Sequence, residues 1–327
     1  MLHILNDLTK VLIIRFSSIG DIVLTTPVIR CLKLQLKDVE IHYLTKSLYR
    51  SILENNPYID KIHTIDKNVS EVIKLLKTEN FNYVFDLHNN IRSALVKLQL
   101  GKPSFTFNKL NIEKWILVNL KINRLAKIHI VDRYMQTLNS IGIINDNKGL
   151  DYFIPEKDQV DLSNFPLTHR KEYIAFVIGA KHFTKQLPEE KIISICKKVN
   201  KTFVLLGGKE DEAKGERIKN SVGINIVNAC GKYNLNQSAS LIKQSQKVIS
   251  SDTGLMHIAA ALKKEIISVW GSTVPEFGMY PYLPDPKSKI IEVKGLSCRP
   301  CSKIGFSICP KGHFNCMNSI SEDGLDL

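Results

Sequence analysis

The sequence lacks any apolar run near the roughly 20 residues that a membrane-spanning helix needs. Its first ten residues, MLHILNDLTK, place Asp7 too early for a secretory apolar region. A cytoplasmic chain is therefore expected. Low-complexity tracts and internal repeats of solenoid period are also missing, so fibrous, disordered and solenoid architectures drop out. Neither half carries G-x-G-x-x-G after its first strand, which counts against a nicotinamide or flavin enzyme. No Asp-x-Asp pair is present to hold a metal against a nucleotide diphosphate. Acid is in short supply too, with 32 Asp and Glu against 45 Lys and Arg, a formal charge of +13. The partner or surface it meets is then anionic: nucleic acid, acidic membrane and phosphorylated substrates all qualify.

What is present suits a globular α/β protein. At 327 residues and 44% hydrophobic the chain fits two domains of roughly 150 residues each. Short β-rich runs alternate with helical ones. In the front half strands are expected at Val11 to Phe16, Val39 to Thr45, Lys61 to Ile65 and Tyr83 to Asp86. Helices are expected near Ile22 to Leu34, Ser47 to Glu54, Ser70 to Glu79, Asn90 to Leu98 and Val131 to Ile141. Periodicity fades from Ile144 to Glu172, a linker rich in Asp, Asn, Pro and Lys. Alternation then restarts, with strands at Tyr173 to Ile178, Thr202 to Leu206, Ile224 to Val227, Lys247 to Ser250 and Ile266 to Trp270. Strand, helix, strand in this order means right-handed crossovers and a parallel sheet. Two Rossmann-like halves would face a central cleft, with the boundary at residues 1–155 and 156–327.

Four stretches fall where such sheets put chemistry, beyond the carboxyl ends of strands. The first is Ser17-Ser18-Ile19-Gly20-Asp21 in RFSSIGDIVLTTPVIR. Gly20 permits a tight turn, and Asp21 sits at the mouth of the cleft as either a helix cap or a general base. The second, Ser251-Asp252-Thr253-Gly254-Leu255-Met256-His257, opens a helix whose amides make an anion site. Asp252 would repel phosphate there and accept from sugar hydroxyls, so phosphate and sugar together explain the mixture; capping is the plainer alternative. In the third, Lys181 to Pro188, Pro188 fits the first helical position and leaves Thr184 and Lys185 in the loop. Lys185 could neutralise a diphosphate leaving group or simply be solvated. The fourth, Gly207-Gly208-Lys209-Glu210-Asp211-Glu212, offers glycines for close approach and a carboxylate for a ribose diol, where acids in a first helical turn are equally plausible.

Taken in order, with FDLHNNIRS, KQLP, LLGGKEDEA, SSDTGLMHIAAAL and VWGSTVPE, these stretches resemble the ADP-heptose:lipopolysaccharide heptosyltransferases, glycosyltransferases of the GT-B fold. The likeness runs over most of the chain. It implies an acceptor-binding domain at 1–155 and a nucleotide-sugar-binding domain at 156–327. Asp21 matches the family's catalytic base, Lys185 and Thr184 its diphosphate contacts, and Asp252, Thr253, Gly254 and His257 its donor loop. Glu212 would meet the ribose, with Glu210 close enough to leave the register open. Ser18, Gly20, His88, Asn89 and Arg92 become acceptor contacts. The implied reaction is inverting transfer of heptose from ADP-heptose to a phosphorylated, lipid-linked inner-core acceptor, with no cofactor required. The basic run from Lys97 to Arg133 would then hold an anionic glycolipid at the inner face of the cytoplasmic membrane, making the enzyme peripheral to it. The extension MLHILNDLT and the tail SEDGLDL are assigned no counterpart in the family.

Cys298, Cys301, Cys309 and Cys316, with His313 among them, crowd into the last thirty residues. In a cytosolic chain they point to zinc sooner than to disulfides, although gaps of seven and six residues are irregular for a compact site. Reduced packing thiols stand ahead of a structural zinc, and a catalytic metal behind both. Two rivals remain in view: a GT-B enzyme using another nucleotide sugar, and a noncatalytic nucleotide-sugar-binding relative. Nucleic acid is not expected, because the basic run lacks interleaved aromatics beyond Phe105, Phe107 and Trp115.

Overall fold

The computed structural model describes residues 8–199, 201–322 and 325. Asp7 with the rest of the opening extension before Leu8, and most of the final SEDGLDL, lie outside them. The chain forms two compact units, one of Met1–Lys109 with Ile130–Phe153, the other of Leu110–His129 with Ile154–Leu327.

The first unit is built on five parallel strands, β1 (Thr9–Ile14), β2 (Val39–Lys46), β3 (Lys61–Ile65), β4 (Tyr83–Asp86) and β5 (Ser104–Thr106), in the order β3-β2-β1-β4-β5. Helices α1 (Ile19–Val23), α2 (Thr26–Gln35), α3 (Ile73–Thr78) and α4 (Ile91–Leu100) connect them. A parallel strand covered on both faces must be apolar throughout, and Val11, Leu12, Ile13 and Ile14 are fully buried. The helix expected over Ile22 to Leu34 is two helices. Pro27 lies in the first turn of α2, where it has no N–H to give the turn before it, and the Thr25 and Thr26 hydroxyls bond back to the Ile22 and Val23 carbonyls. The stretch Ser47–Ile52 closes as a 3₁₀ turn rather than an α-helix. Helix α3 is likewise preceded by a 3₁₀ turn at Val69–Glu71.

Between Lys109 and Ile130 the chain belongs to the other unit. Helix α5 (Asn111–Leu120) sets Leu117 against Val274 and Phe277. The Lys121 amine donates to the carbonyls of Val118, Cys298 and Pro300, and His129 packs between Tyr280 and Tyr282. Taking 1–155 as one block therefore cuts across observed packing: sequence order ran through an excursion that its buried leucine anchors elsewhere. Helix α6 (Ile130–Met135) and a 3₁₀ turn over Gln136–Ile141 return the chain to the first unit.

The second unit continues with α7 (Leu167–Lys171), β6 (Ile174–Val177), α8 (Glu189–Val199), β7 (Phe203–Leu206), α9 (Glu212–Val222), β8 (Ile226–Asn228), α10 (Leu235–Gln244), β9 (Lys247–Ser251), α11 (Gly254–Ala261), β10 (Glu265–Trp270), β11 (Lys289–Glu292) and α12 (Asn315–Asn318). Its six parallel strands run β11-β10-β9-β6-β7-β8. In each sheet the order reverses about the first strand, between β1 and β4 in one and between β6 and β9 in the other. Those are the places where a parallel sheet leaves a crevice at its carboxyl edge.

Arg30 on α2 is buried and closes the first unit. It meets Asp146 through two bonds of 2.8 Å, Asp151 through a third, and the Gly149 carbonyl at 2.8 Å. Removing the cation strands two carboxylates, so Arg30→Met should lower stability by about 3 kcal/mol. Arg30→Lys should recover little, because an ammonium cannot span the fork. Chemical denaturation of the full chain measures both, and a loss below about 1 kcal/mol would show that water takes over the role.

Candidate active site

Two clusters stand at the two crevices. In the first unit the chain leaves β1 through Arg15, a residue only 7% exposed despite its charge. Its guanidinium donates to the Ser17 carbonyl at 2.7 Å, the Leu87 carbonyl at 2.6 Å and the Tyr134 hydroxyl at 3.1 Å. Its remaining nitrogen pairs with Asp21 Oδ1 at 2.7 Å. Asp21 Oδ2 accepts from the Ser18 hydroxyl at 2.8 Å and the Ser18 amide at 3.2 Å, closing a capping box over α1 in which Gly20 is buried. The carboxylate is a cap and also half of an ion pair, and it retains some contact with solvent. Burial keeps the Tyr134 phenol well above its usual range.

Across the crevice, after β4, the buried Asp86 accepts from the amides of His88 at 3.0 Å and Asn89 at 2.7 Å, and pairs with Lys97 at 2.9 Å. Asn89 has a positive φ of 52° and gives its side-chain amide to the Phe107 carbonyl. It shapes the loop. The His88 ring meets Phe16 edge-on at 5.1 Å, and its buried Nδ1 has no hydrogen-bond partner among the described residues. Burial, then the charges of Arg15 and Lys109, lower its pKa from 6.5 to about 4. Arg92 is exposed on α4. Lys109 is half-buried, and its pKa is lowered by that burial and then by Arg15.

In the second unit the loop after β6 carries Lys185, whose amine meets Asp252 Oδ2 at 2.5 Å. The same oxygen accepts from Thr273 Oγ at 3.1 Å. Thr253 caps α11 by accepting from the Met256 amide at 3.3 Å, which puts Gly254 at the helix start. His257 is buried one turn further on. Thr184 is placed differently from Lys185. Its hydroxyl takes the Phe306 amide at 2.8 Å and the Ser272 hydroxyl at 2.9 Å, and it is buried. It pins three loops together. Glu212 begins α9 with its carboxylate against Gly231, and Glu210 is exposed beside Gly208.

Sequence reading gave no particular role to Arg15, Asp211 and Thr273. A charge directly after VLII was the available signal for the first. Asp211 is buried, which raises its pKa, and it fills the space where Gly179 and Gly207 have no Cβ.

The tail cysteines are all free thiols. Cys301 Sγ lies 3.1 Å from the Cys298 carbonyl, Cys316 belongs to the core and Cys309 packs against it. Burial pushes the Cys301 and Cys316 thiols up to about 11. Among the described residues the group whose three ligand atoms lie within 4.8 Å of one another is instead His42, His63 and Glu79. There His42 Nδ1 and His63 Nε2 are 2.9 Å apart, Glu40 holds the other face of His42, and Lys10 and Lys61 already pair with Glu79. Lys10 also pairs with Glu40, so each carboxylate of the cluster already has a cation beside it.

Solved structures share this architecture. A glycosyltransferase family 9 protein from Veillonella parvula DSM 2008 superposes with a TM-score of 0.79 at 21% identity, covering 97% of this chain and 94% of its own. The E. coli ADP-heptose LPS heptosyltransferase II gives 0.68 at 22%, with 95% and 98% covered. The fold is that of a GT-B glycosyltransferase. A lipopolysaccharide heptosyltransferase 1 from Campylobacter coli is 29% identical over 288 residues, 81% of this chain and 84% of that protein. Residues 69–308 match the family model for glycosyltransferase family 9 (heptosyltransferase), and the chain belongs to that family. It is a glycosyltransferase.

Two of the depressed histidines set an acid limit on the fold. His63, like His88, is lowered from 6.5 to about 4, chiefly by burial. Between those values the unfolded chain takes protons that the folded one refuses. Stability present above about pH 6.5 is therefore lost as pH falls toward 4, by about 3 kcal/mol for His63. Imidazole chemical shifts followed by NMR should show both rings neutral at about pH 5.5; titration near 6.5 would refute the burial argument.

Proposed function

We propose that the enzyme transfers heptose from ADP-heptose, with inversion, to a hydroxyl of a lipopolysaccharide inner-core acceptor. The observation that carries this reading is the complementary chemistry at the two crevices: a carboxylate beside β1 and β4, a cation and helix amides beside β6 and β9. ADP-heptose in the name of the E. coli relative, and lipopolysaccharide in those of both relatives, support the substrates.

On this reading Asp21 takes the acceptor's hydroxyl proton as the oxygen bonds to the anomeric carbon. The bond from that carbon to the diphosphate breaks, and ADP leaves with the electron pair. Lys185 and the amides at Thr253 and Gly254 receive the departing charge. The diphosphate takes Lys185 from Asp252, freeing that carboxylate to accept from sugar hydroxyls. Arg15 is a positioning residue that keeps Asp21 aimed. His88, kept neutral by burial, stands with Ser18, Asn89 and Arg92 on the loops that would meet the acceptor. Thr184 supports Lys185 by holding its turn. Glu212 or Glu210 meets the ribose. No metal enters the scheme. No helix among the described residues is long and apolar enough to cross a membrane, in keeping with an enzyme that acts from the membrane surface.

Asp21→Asn separates base from cap. Asparagine caps about as well as aspartate but leaves the buried Arg15 without its counter-charge, so the melting temperature should fall while the folded variant keeps its donor affinity and loses turnover roughly a hundredfold or more. The assay is ADP release from ADP-heptose in the presence of core acceptor. Near-normal turnover would leave Asp21 a cap and the scheme without its base.

For the donor, Lys185→Ala should weaken ADP-heptose binding in calorimetry and slow transfer together, since the cation meets charge both before and during reaction. Unchanged affinity would move the diphosphate elsewhere. If ADP-heptose is inert and another nucleotide sugar is turned over, the donor assignment fails while the glycosyltransferase remains.

A further inference from the structure

Helix α5 is apolar on two sides. One side carries Leu117, buried against Val274 and Phe277 with Val118 and Leu125 alongside. Lys114 also lies on this side, its amine 5.9 Å from the centre of the Phe277 ring. At the helical period, Ile112, Trp115, Ile116 and Leu120 fall on the other side, with Asn119 among them giving its amide to the Trp115 carbonyl. There Ile112 is 73% exposed, Trp115 53% and Leu120 56%, and Ile122 just beyond the helix is 48% exposed. A surface helix ordinarily turns charge to water, and a row of large apolar side chains in its place marks a contact surface.

The charges around the row select the partner. Within Leu110–His129 the acidic residue is Glu113, against Lys114, Lys121, Arg124 and Lys127. Lys121 is tied to three carbonyls, but Arg124 and Lys127 are exposed and make no hydrogen bond or ion pair with a described residue. A second copy docking through this face would set like charges together. An anionic bilayer satisfies both features, with acyl chains covering Ile112, Trp115 and Leu120 and headgroup phosphates meeting Arg124 and Lys127. Tryptophan is at home at that boundary.

We infer that α5 and the strand of chain through Ile128 form a membrane-docking element that inserts shallowly into anionic lipid, holding by apolar contact as well as by charge. The inference rests on the proposed glycolipid acceptor for its purpose. The binding itself requires no acceptor.

The two tryptophans make the test direct, because Trp270 is fully buried and Trp115 is the exposed one. The full chain is mixed with vesicles of phosphatidylethanolamine and phosphatidylglycerol that contain no glycolipid, and with vesicles of phosphatidylcholine. The anionic vesicles should shift Trp115 emission to the blue and shield it from acrylamide, and Trp115→Phe should abolish the shift. Arg124→Gln with Lys127→Gln should weaken vesicle binding about tenfold or more at low salt, a difference that closes at about 0.5 M salt. Ile112→Asn with Leu120→Asn should weaken it at both. Melting temperatures verify that each variant is folded.

No vesicle-dependent shift in the folded wild type would overturn the inference. So would Trp115 emission already blue and unquenchable in the free chain, or burial of Trp115 by self-association alone. Because the vesicles hold no acceptor, failure of the transfer reaction would leave this result standing, and failure here would leave that reaction standing.

Discussion

A guanidinium buried at the end of a central strand is the constraint from which the first unit's chemistry follows. Arg15 cannot give up its charge, and taking that charge out of water is costly unless each donor is met. Two carbonyls, a phenol and the Asp21 carboxylate meet them. These partners come from the turn after β1, the loop after β4, helix α6 and the first turn of α1. One side chain therefore fixes where four segments lie relative to one another, and the carboxylate it fixes lies in the crevice. The second unit reaches the same end with neutral groups. The Thr184 hydroxyl ties the turn before α8 to Ser272 and Phe306, and the position of Lys185 follows from that of its neighbour.

Most of the sheet framework was legible, because strands buried on both faces must be written as short apolar runs. What escaped is instructive. Strand β5 is SFT and β11 is KIIE, short edge strands with exposed residues and too little pattern to recognise. Helix α5 escaped for a different reason. Apolar residues on both of its sides blur the period that would announce a helix, and its charges invited a reading of the segment as merely basic. The break between α1 and α2 was visible in Pro27, but the apolar period runs straight across it.

Site residues divided along similar lines. Asp21, Lys185, Asp252 and Thr253 lie in the loops or first helical turns that follow strands, so local sequence placed them at carboxyl edges, where the structure also has them. The partners that set their geometry lie far away in sequence: Tyr134 is 119 residues from Arg15, and Phe306 is 122 from Thr184. No local pattern carries such pairings. Thr184 shows the consequence, since a hydroxyl that reads as available for ligand is occupied by a loop from the other end of the unit.

The excursion of Leu110–His129 bears on how the chain can be made. The polypeptide passes between units at residues 109/110, 129/130 and 153/154. As it leaves the ribosome, the first unit lacks α6 and the Asp146 and Asp151 partners of Arg30 until the excursion has been synthesised. Helix α5 emerges long before Val274 and Phe277, the residues that cover its buried side. For well over a hundred residues of elongation both of its apolar sides are open. The nascent chain thus carries an adhesive segment through nearly half of its synthesis, and dissection at residue 155 would reproduce that condition permanently, giving a front fragment prone to aggregate rather than an autonomous domain.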